Sequence, residues 1–368
     1  MTKITRREFL KMSASSVVAF GAPGLIANCK NEGTGLDPSE VNARVAIVGG
    51  ENLQSMTLDA LEAIGGMTEI VHEGETVFIK PNFVTFPWAR TNNCFRTGEC
   101  TKPEIIITVA EECLKAGASE VCIGDGSHLF TFDWKYATTF DGDTNLVREA
   151  ARLNSAYPGK VTLACLEADS PAWDEVPSRT DLENIAVSSL VTRADRVISI
   201  PVAKTHSWAQ LTLALKNFVG VTSLERYAGW VNDSYWDRGK MFDHSSPQAI
   251  GQIYLDIVQA VKPDLAIIDF SIGLEGDGPT TGHGGHTVDM KSRLGSWLVL
   301  ASTDIMATDA TAARIMSHSV ADMHQLQMGY DMGLGEIREN AIEIIGEKIA
   351  DVRVDWQSAK LKNRRPYH

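Results

Sequence analysis

Residues 76–124 read as strand, helix, strand. Thr76-Val-Phe-Ile-Lys80 is a short apolar run broken at Pro81-Asn82. Pro103 opens a helix that runs through Ala116 to Gly117, and Glu120-Val-Cys-Ile-Gly124 is the next apolar run. Runs of this length fit buried strands, proline is favoured in the first turn of a helix, and glycine closes one. Two buried strands joined through a helix pair in parallel, because the crossover helix carries the chain back to the end of the sheet where it started.

The same rhythm extends outward. Upstream, Arg44-Val-Ala-Ile-Val-Gly-Gly is a strand ending in glycines, and residues 56–66 form a short helix. Downstream, residues 146–154 read as a helix and 161–166 as a strand. Residues 195–200 form a strand, 211–219 and 249–261 helices, 264–269 and 297–301 strands, and 304–316 a helix. Residues 341–346 and 351–355 read as closing strands. The expected fold class is α/β, a mostly parallel sheet with helices on both faces, over residues 44–346. Pro171, Asp174 and Pro177 interrupt the pattern, so two lobes would meet near residues 168–181. Residues 347–368 are expected to be a C-terminal strand and basic tail. Residues 226–246, aromatic and polar without period, read as a lid or active-site loop.

The amino terminus carries an address. Thr5-Arg6-Arg7-Glu8-Phe9-Leu10-Lys11 precedes a mild apolar run over residues 12–27, interrupted by Ser13, Ser15, Ser16 and Pro23. That pattern predicts a twin-arginine export signal over residues 1–29 and a polar linker over 30–43. Its expected partner is the twin-arginine translocation machinery, which exports proteins already folded, often with a cofactor acquired beforehand. The run is too short and too polar for a membrane span. Cys29, after Leu25-Ile26-Ala27-Asn28, leaves two outcomes open, plain cleavage or a lipid on Cys29. The expected location is the periplasm or the outer face of the membrane, with membrane contact only through the signal or a lipid.

Composition narrows the partners. The chain has 368 residues, 22% charged and 44% hydrophobic, and a net charge of −13, which disfavours nucleic acid. Its six cysteines form no CxxC pair and no ferredoxin-type run, so an iron–sulfur cluster held by this chain is not expected. Cys94 and Cys100 bracket a polar loop and are placed to close a small disulfide in an oxidising compartment; a metal pair is the alternative.

Ligands in open α/β sheets bind beyond the carboxyl ends of the strands, which gathers several polar breaks into one candidate crevice. Lys80 and Asn82 follow one strand, and Asp125 and Ser127 another. Lys204, Thr205 and His206 follow the strand at 195–200. Glu275, Asp277, His283 and His286 follow the strand at 264–269, and Asp304 follows the strand at 297–301. Lysines at 80, 204 and 216, with Asn82, Asn217 and Ser127, suit a small anion. Asp125, Lys204 and His206 are the candidates for acid–base work, with His206 expected to titrate between about pH 5 and 8. Asp304, Asp277, His283 and His286 are the candidates for a divalent metal. Lys204 is read as a surface lysine whose loss would barely alter stability.

Ile79-Lys80-Pro81-Asn82, Thr101-Lys-Pro103-Glu104 and Gly124-Asp125-Gly126 resemble the start of the domain of unknown function 362 family. Lys204-Thr205-His206, Leu215-Lys216-Asn217-Phe-Val-Gly220, Glu275-Gly276-Asp277-Gly278-Pro279 and the stretch from Ala301 through Asp304 to Asp309 resemble its second half, in order, over residues 44–346. The resemblance implies a link to iron–sulfur proteins, from which this chain departs by lacking the cysteine run. Two functions follow as expectations. One is an exported enzyme acting on a small anionic substrate, with a metal or cofactor loaded before export. The other is a non-catalytic exported ligand-binding or redox-partner protein without its own cluster.

Overall fold

Along each central strand, successive apolar side chains enter opposite cores, so the sheet must be covered on both faces. Val77 and Ile79 pack into one core while Phe78 enters the other; Val299 and Ala301 join the first, and Leu298 and Leu300 the second. The helices Leu53–Ala63, Pro103–Lys115 and Leu146–Ala156 cover the first face, and Pro247–Val261, Ile305–Ile315 and His324–Asp331 the second. The computed structural model describes residues 41–84, 93–231, 235–240 and 242–360. The expected export signal, Cys29 and the last residues of the basic tail lie outside them.

In chain order the strands are β1 (Ala43–Gly50), β2 (Thr76–Pro81), β3 (Glu120–Asp125), β4 (Lys160–Cys165), β5 (Trp173–Pro177), β6 (Asn184–Ser188), β7 (Arg196–Ile200) and β8 (Val202–His206). They continue with β9 (Gln210–Thr212), β10 (Gly229–Val231), β11 (Tyr235–Asp237), β12 (Leu265–Gly276), β13 (Gly285–Asp289), β14 (Trp297–Ser302) and β15 (Ile342–Gly346). The main sheet runs β15-β1-β14-β12-β7-β2-β3-β4; β8 and β13 pair with β12, and β9 pairs with β8. Every pairing along that path is parallel except the two made by β14, which is antiparallel to β1 and to β12. The fold is α/β, with a mostly parallel central sheet and helices on both faces.

Two local expectations change. Residues 211–219 do not form a helix: they continue from β9 into the 3₁₀ turn Lys216–Val221. Residues 351–355 are not a strand either. A helical turn, Ile349–Val352, leads into extended chain whose Val354 N–H donates to Ile315 O at 2.8 Å. Val352 and Trp356 are buried there, so this apolar alternation serves packing against the helix Ile305–Ile315 and not a sheet edge. The break near 168–181 holds β5 of a hairpin with β6. Ser178 Oγ and the Arg179 backbone N–H both donate to Asp256 on the helix Pro247–Val261, which ties the segment to the second half.

Candidate functional site

The ends of β2, β3 and β8, the turn Lys216–Val221, and residues 237–239 and 244 line a cavity of about 120 Å³. Lys80, Asn82, Asp125, Ser127, His206, Lys216 and Asn217 line it, together with His128, Arg238 and His244. At its floor Lys80 Nζ lies 2.9 Å from Asp125 Oδ1, with side-chain exposures of 1% and 4%. Lys80 also donates to Pro81 O at 2.7 Å, and Asp125 Oδ2 accepts from the Phe83 N–H at 2.6 Å. Burial pulls the Lys80 ammonium below its usual range, and the Asp125 carboxylate opposes that pull. Asn217 holds the pair in place: its Nδ2 donates to Lys80 O at 2.7 Å and to Ser199 Oγ at 3.1 Å. Gly220 leaves room for the pair, because a Cβ there would lie 2.9 Å from both Asp125 Oδ1 and Lys80 Nζ and force one of them to shift.

Two further cations face the cavity, and neither has a carboxylate within ion-pairing distance among the described residues. Arg238 is 6% exposed, yet its guanidinium donates only to neutral oxygens: Thr222 Oγ1 at 3.0 Å, Thr222 O at 2.7 Å and Ser127 O at 3.0 Å. Burial lowers its pKa to about 10. Lys216, partly buried, makes no hydrogen bond or ion pair with the described residues. Desolvation, with Lys204 as a neighbouring positive charge, lowers its pKa to about 7. Its position is set from behind. The buried Asp309 carboxylate accepts from the Ala214 N–H at 2.8 Å and the Leu215 N–H at 3.0 Å, and burial raises its pKa to about 7.

Backbone contacts assign the histidine tautomers. His206 Nδ1 accepts from the Trp208 N–H at 3.1 Å and the Ala209 N–H at 3.3 Å, so the neutral ring carries its proton on Nε2. Burial first, and then the positive charge of Lys216, hold its pKa well below the usual histidine value. His206 is thus held as a neutral N–H donor and not as the titrating group expected from the sequence. His244 is the reverse: Nδ1 lies 2.8 Å from Phe242 O and must be the donor, which leaves the lone pair on Nε2. His128 has the same arrangement, with Nδ1 2.6 Å from Trp236 O.

The family model for a domain of unknown function (DUF362) matches residues 77–314, nearly every element that shapes this cavity. The chain belongs to the DUF362 family. It is 25% identical over 275 residues to a thylakoid-associated protein of Synechocystis sp., covering 74% of this chain and 73% of the relative. Among solved structures it is similar to the lactate racemase apoprotein of Thermoanaerobacterium thermosaccharolyticum, at 11% identity and a TM-score of 0.35 over 68% of this chain. A Thermotoga maritima protein matches at 13% identity and a TM-score of 0.34 over 62% of this chain. The matched regions span 55% and 53% of those two structures, about half of each.

Several expected site residues of this DUF362 chain lie elsewhere. Lys204 is not a surface lysine. It is 0% exposed on β8 and donates to Asn82 Oδ1 at 2.9 Å and Glu99 O at 2.8 Å, behind the cavity wall. Burial lowers its pKa to about 8. It therefore positions Asn82 and the loop at Glu99. Ser127 Oγ is likewise committed, donating to Phe83 O at 2.8 Å.

Asp304 sits at the opposite end of the sheet, because β14 runs against its neighbours and its carboxyl end points away from the crevice. There Asp304 caps the helix Ile305–Ile315, accepting from the Met306 and Ala307 N–H groups, and it also accepts from the Glu336 N–H. Asp277 accepts from the Lys360 N–H at 2.9 Å. His283 and His286 are exposed around the β12–β13 hairpin, with His283 Nδ1 2.9 Å from Thr280 Oγ1. Glu275 is paired with Arg293. The four expected metal ligands are not brought together, and among the described residues no group of three or more His, Cys, Asp or Glu side chains is placed to hold a metal ion. Cys94 and Cys100 are buried free thiols, not joined by a disulfide.

Arg238, His244 and His128 were missed as individual residues. The signal for two of them was the aperiodic stretch at 226–246, read only as a lid or active-site loop.

Proposed function

We propose that this DUF362 chain is an exported enzyme that binds a small anion, a carboxylate or a phosphate, and moves protons on it. One observation carries the reading: Arg238 and Lys216 present positive heads to one cavity without a carboxylate partner among the described residues, in a chain of net charge −13. A buried charge left unneutralised by the protein favours a ligand of opposite sign. Arg238 would fix the anion, and the His206 Nε2–H would donate to an oxygen of it. Lys216, with a pKa of about 7, is matched to both giving and taking a proton at neutral pH. His244, with its proton on Nδ1, lines the same cavity.

His206 does not fit as a metal ligand. A metal-bound histidine usually donates its other ring N–H outward, whereas His206 Nδ1 accepts from two backbone N–H groups. Binding through Nε2 would require an imidazolate, so no step is routed through a metal.

Thermal-shift titration with acetate, propionate and phosphate at about pH 6 tests the reading. Stabilisation by at least one is expected, and Lys216→Met should weaken it about 10- to 100-fold, the loss of one charge-assisted contact. Lys291→Met, which removes an exposed partner of Glu51, should leave it unchanged. No stabilisation by any small anion would overturn the reading.

Export is tested separately. Replacing Arg6 and Arg7 together by Lys should retain the protein in the cytoplasm, because lysine does not reproduce guanidinium geometry. Continued export of the double variant would remove that part of the proposal.

A further inference from the structure

Lys216 differs from every other buried lysine described at this end of the sheet. Lys80 is paired with Asp125, Lys102 with Asp269, and Lys204 donates to Asn82 and Glu99. Lys216 alone reaches the cavity with no acceptor among the described residues. A lysine kept only to attract anions is most effective as a charged, hydrated ammonium. This one is partly buried beside a second cation, a setting that favours the free amine and makes a nucleophile.

Resting on the anion-binding reading above, we propose that Lys216 Nζ condenses with the carbonyl carbon of a small 2-oxo carboxylate whose carboxylate lies against Arg238. The cavity selects the class by size and polarity. About 120 Å³ is roughly ten times the ~10–15 Å³ that one water needs, which suits a small molecule. In a 2-oxo acid the carboxylate and the carbonyl are adjacent, so one end meets the guanidinium while the other meets the amine and the His206 N–H.

The neutral amine attacks the carbonyl carbon. A C–N bond forms, and the C=O π pair moves onto oxygen, which accepts the His206 Nε2–H hydrogen bond. His244 Nε2 takes a proton from the attached nitrogen and returns that same proton to the oxygen, which becomes the carbinolamine hydroxyl. A second proton transfer from nitrogen to that hydroxyl releases water as C=N forms. Ketone and amine give imine and water, with no oxidant or further reactant.

Sodium cyanoborohydride with pyruvate or glyoxylate tests this on the purified full chain, read by intact mass and peptide mapping. The expected result is one reduced adduct per chain, on Lys216, absent from Lys216→Arg. Trapping should increase as pH rises through about 7, while stabilisation by unreactive propionate declines over the same interval. Circular dichroism of Lys216→Arg checks that the variant is folded, and His244→Gln, with Lys216 intact, should slow trapping at least tenfold. No adduct in wild type while propionate still stabilises it overturns the Schiff base and leaves the anion site standing. Neither adduct nor stabilisation overturns both readings. Adducts scattered over surface lysines and retained in Lys216→Arg also overturn it.

Discussion

Lys80→Met is expected to destabilise the fold by about 3–5 kcal/mol, the range for removing one partner of a buried ion pair. The reason is what remains behind. Asp125 is 4% exposed at its side chain and would keep the Phe83 N–H as a donor while losing the ammonium that lies 2.9 Å away. Most of the loss is desolvation of an uncompensated carboxylate and not the worth of the bond itself. The double variant Lys80→Met/Asp125→Asn should therefore recover a large part of it, because Asn keeps an acceptor for Phe83 and brings no charge. Urea unfolding of wild type, both single variants and the double variant makes the comparison. A loss below about 1 kcal/mol in Lys80→Met would show that water reaches the pair and that the cavity floor is not closed.

The second large effect is a pH dependence with two limbs. Asp309 is raised from 3.8 to about 7 in the folded chain. Between those values the folded state holds a proton the unfolded state has released, so this group's contribution falls as pH rises from about 4 to 7. Lys216 and Lys204 are lowered from 10.5 to about 7 and about 8. Above those values the unfolded state binds more protons, so their contributions rise with pH toward 10.5. Each limb has a limiting slope of roughly 1.4 kcal/mol per pH unit per group. Asp309→Asn should gain on wild type steadily between pH 4 and 7 and track it above. Lys216→Met should lose ground to wild type between pH 7 and 10. Stability measured by chemical unfolding across pH 4–10 tests both, and parallel curves for Asp309→Asn and wild type would show that Asp309 is ionised when folded.

Both predictions concern residues whose neighbourhood was only partly legible along the chain. Lys80 and Asp125 could be placed at the ends of adjacent strands from apolar runs and a crossover helix. Lys216 could be named a candidate cation, although its turn was expected to be a helix. Asp309 stood only inside a family-like stretch, with nothing local to say that its carboxylate would receive two backbone N–H groups from residues 214 and 215.

What the amino-acid pattern by itself determined is which segments bury both faces and where they break. Hydrophobic period, proline and glycine are local properties, and a helix between two buried strands leaves parallel pairing as the economical closure. From these follow the α/β class and the convergence of β2 and β3 on one crevice. Strand direction elsewhere is not a local property. β14 follows the β12–β13 hairpin and a helix of only five residues, Met290–Leu294, and returns antiparallel to β12, which moved Asp304 to the far end of the sheet. Only the tertiary structure buried Lys204 behind the wall and brought Arg238 and His244 to the cavity. It also locked the His206 proton on Nε2 through two backbone N–H groups. Charge state and tautomer depend on desolvation and on hydrogen bonds that exist only once the chain has closed around them, so no reading of residue order contains them.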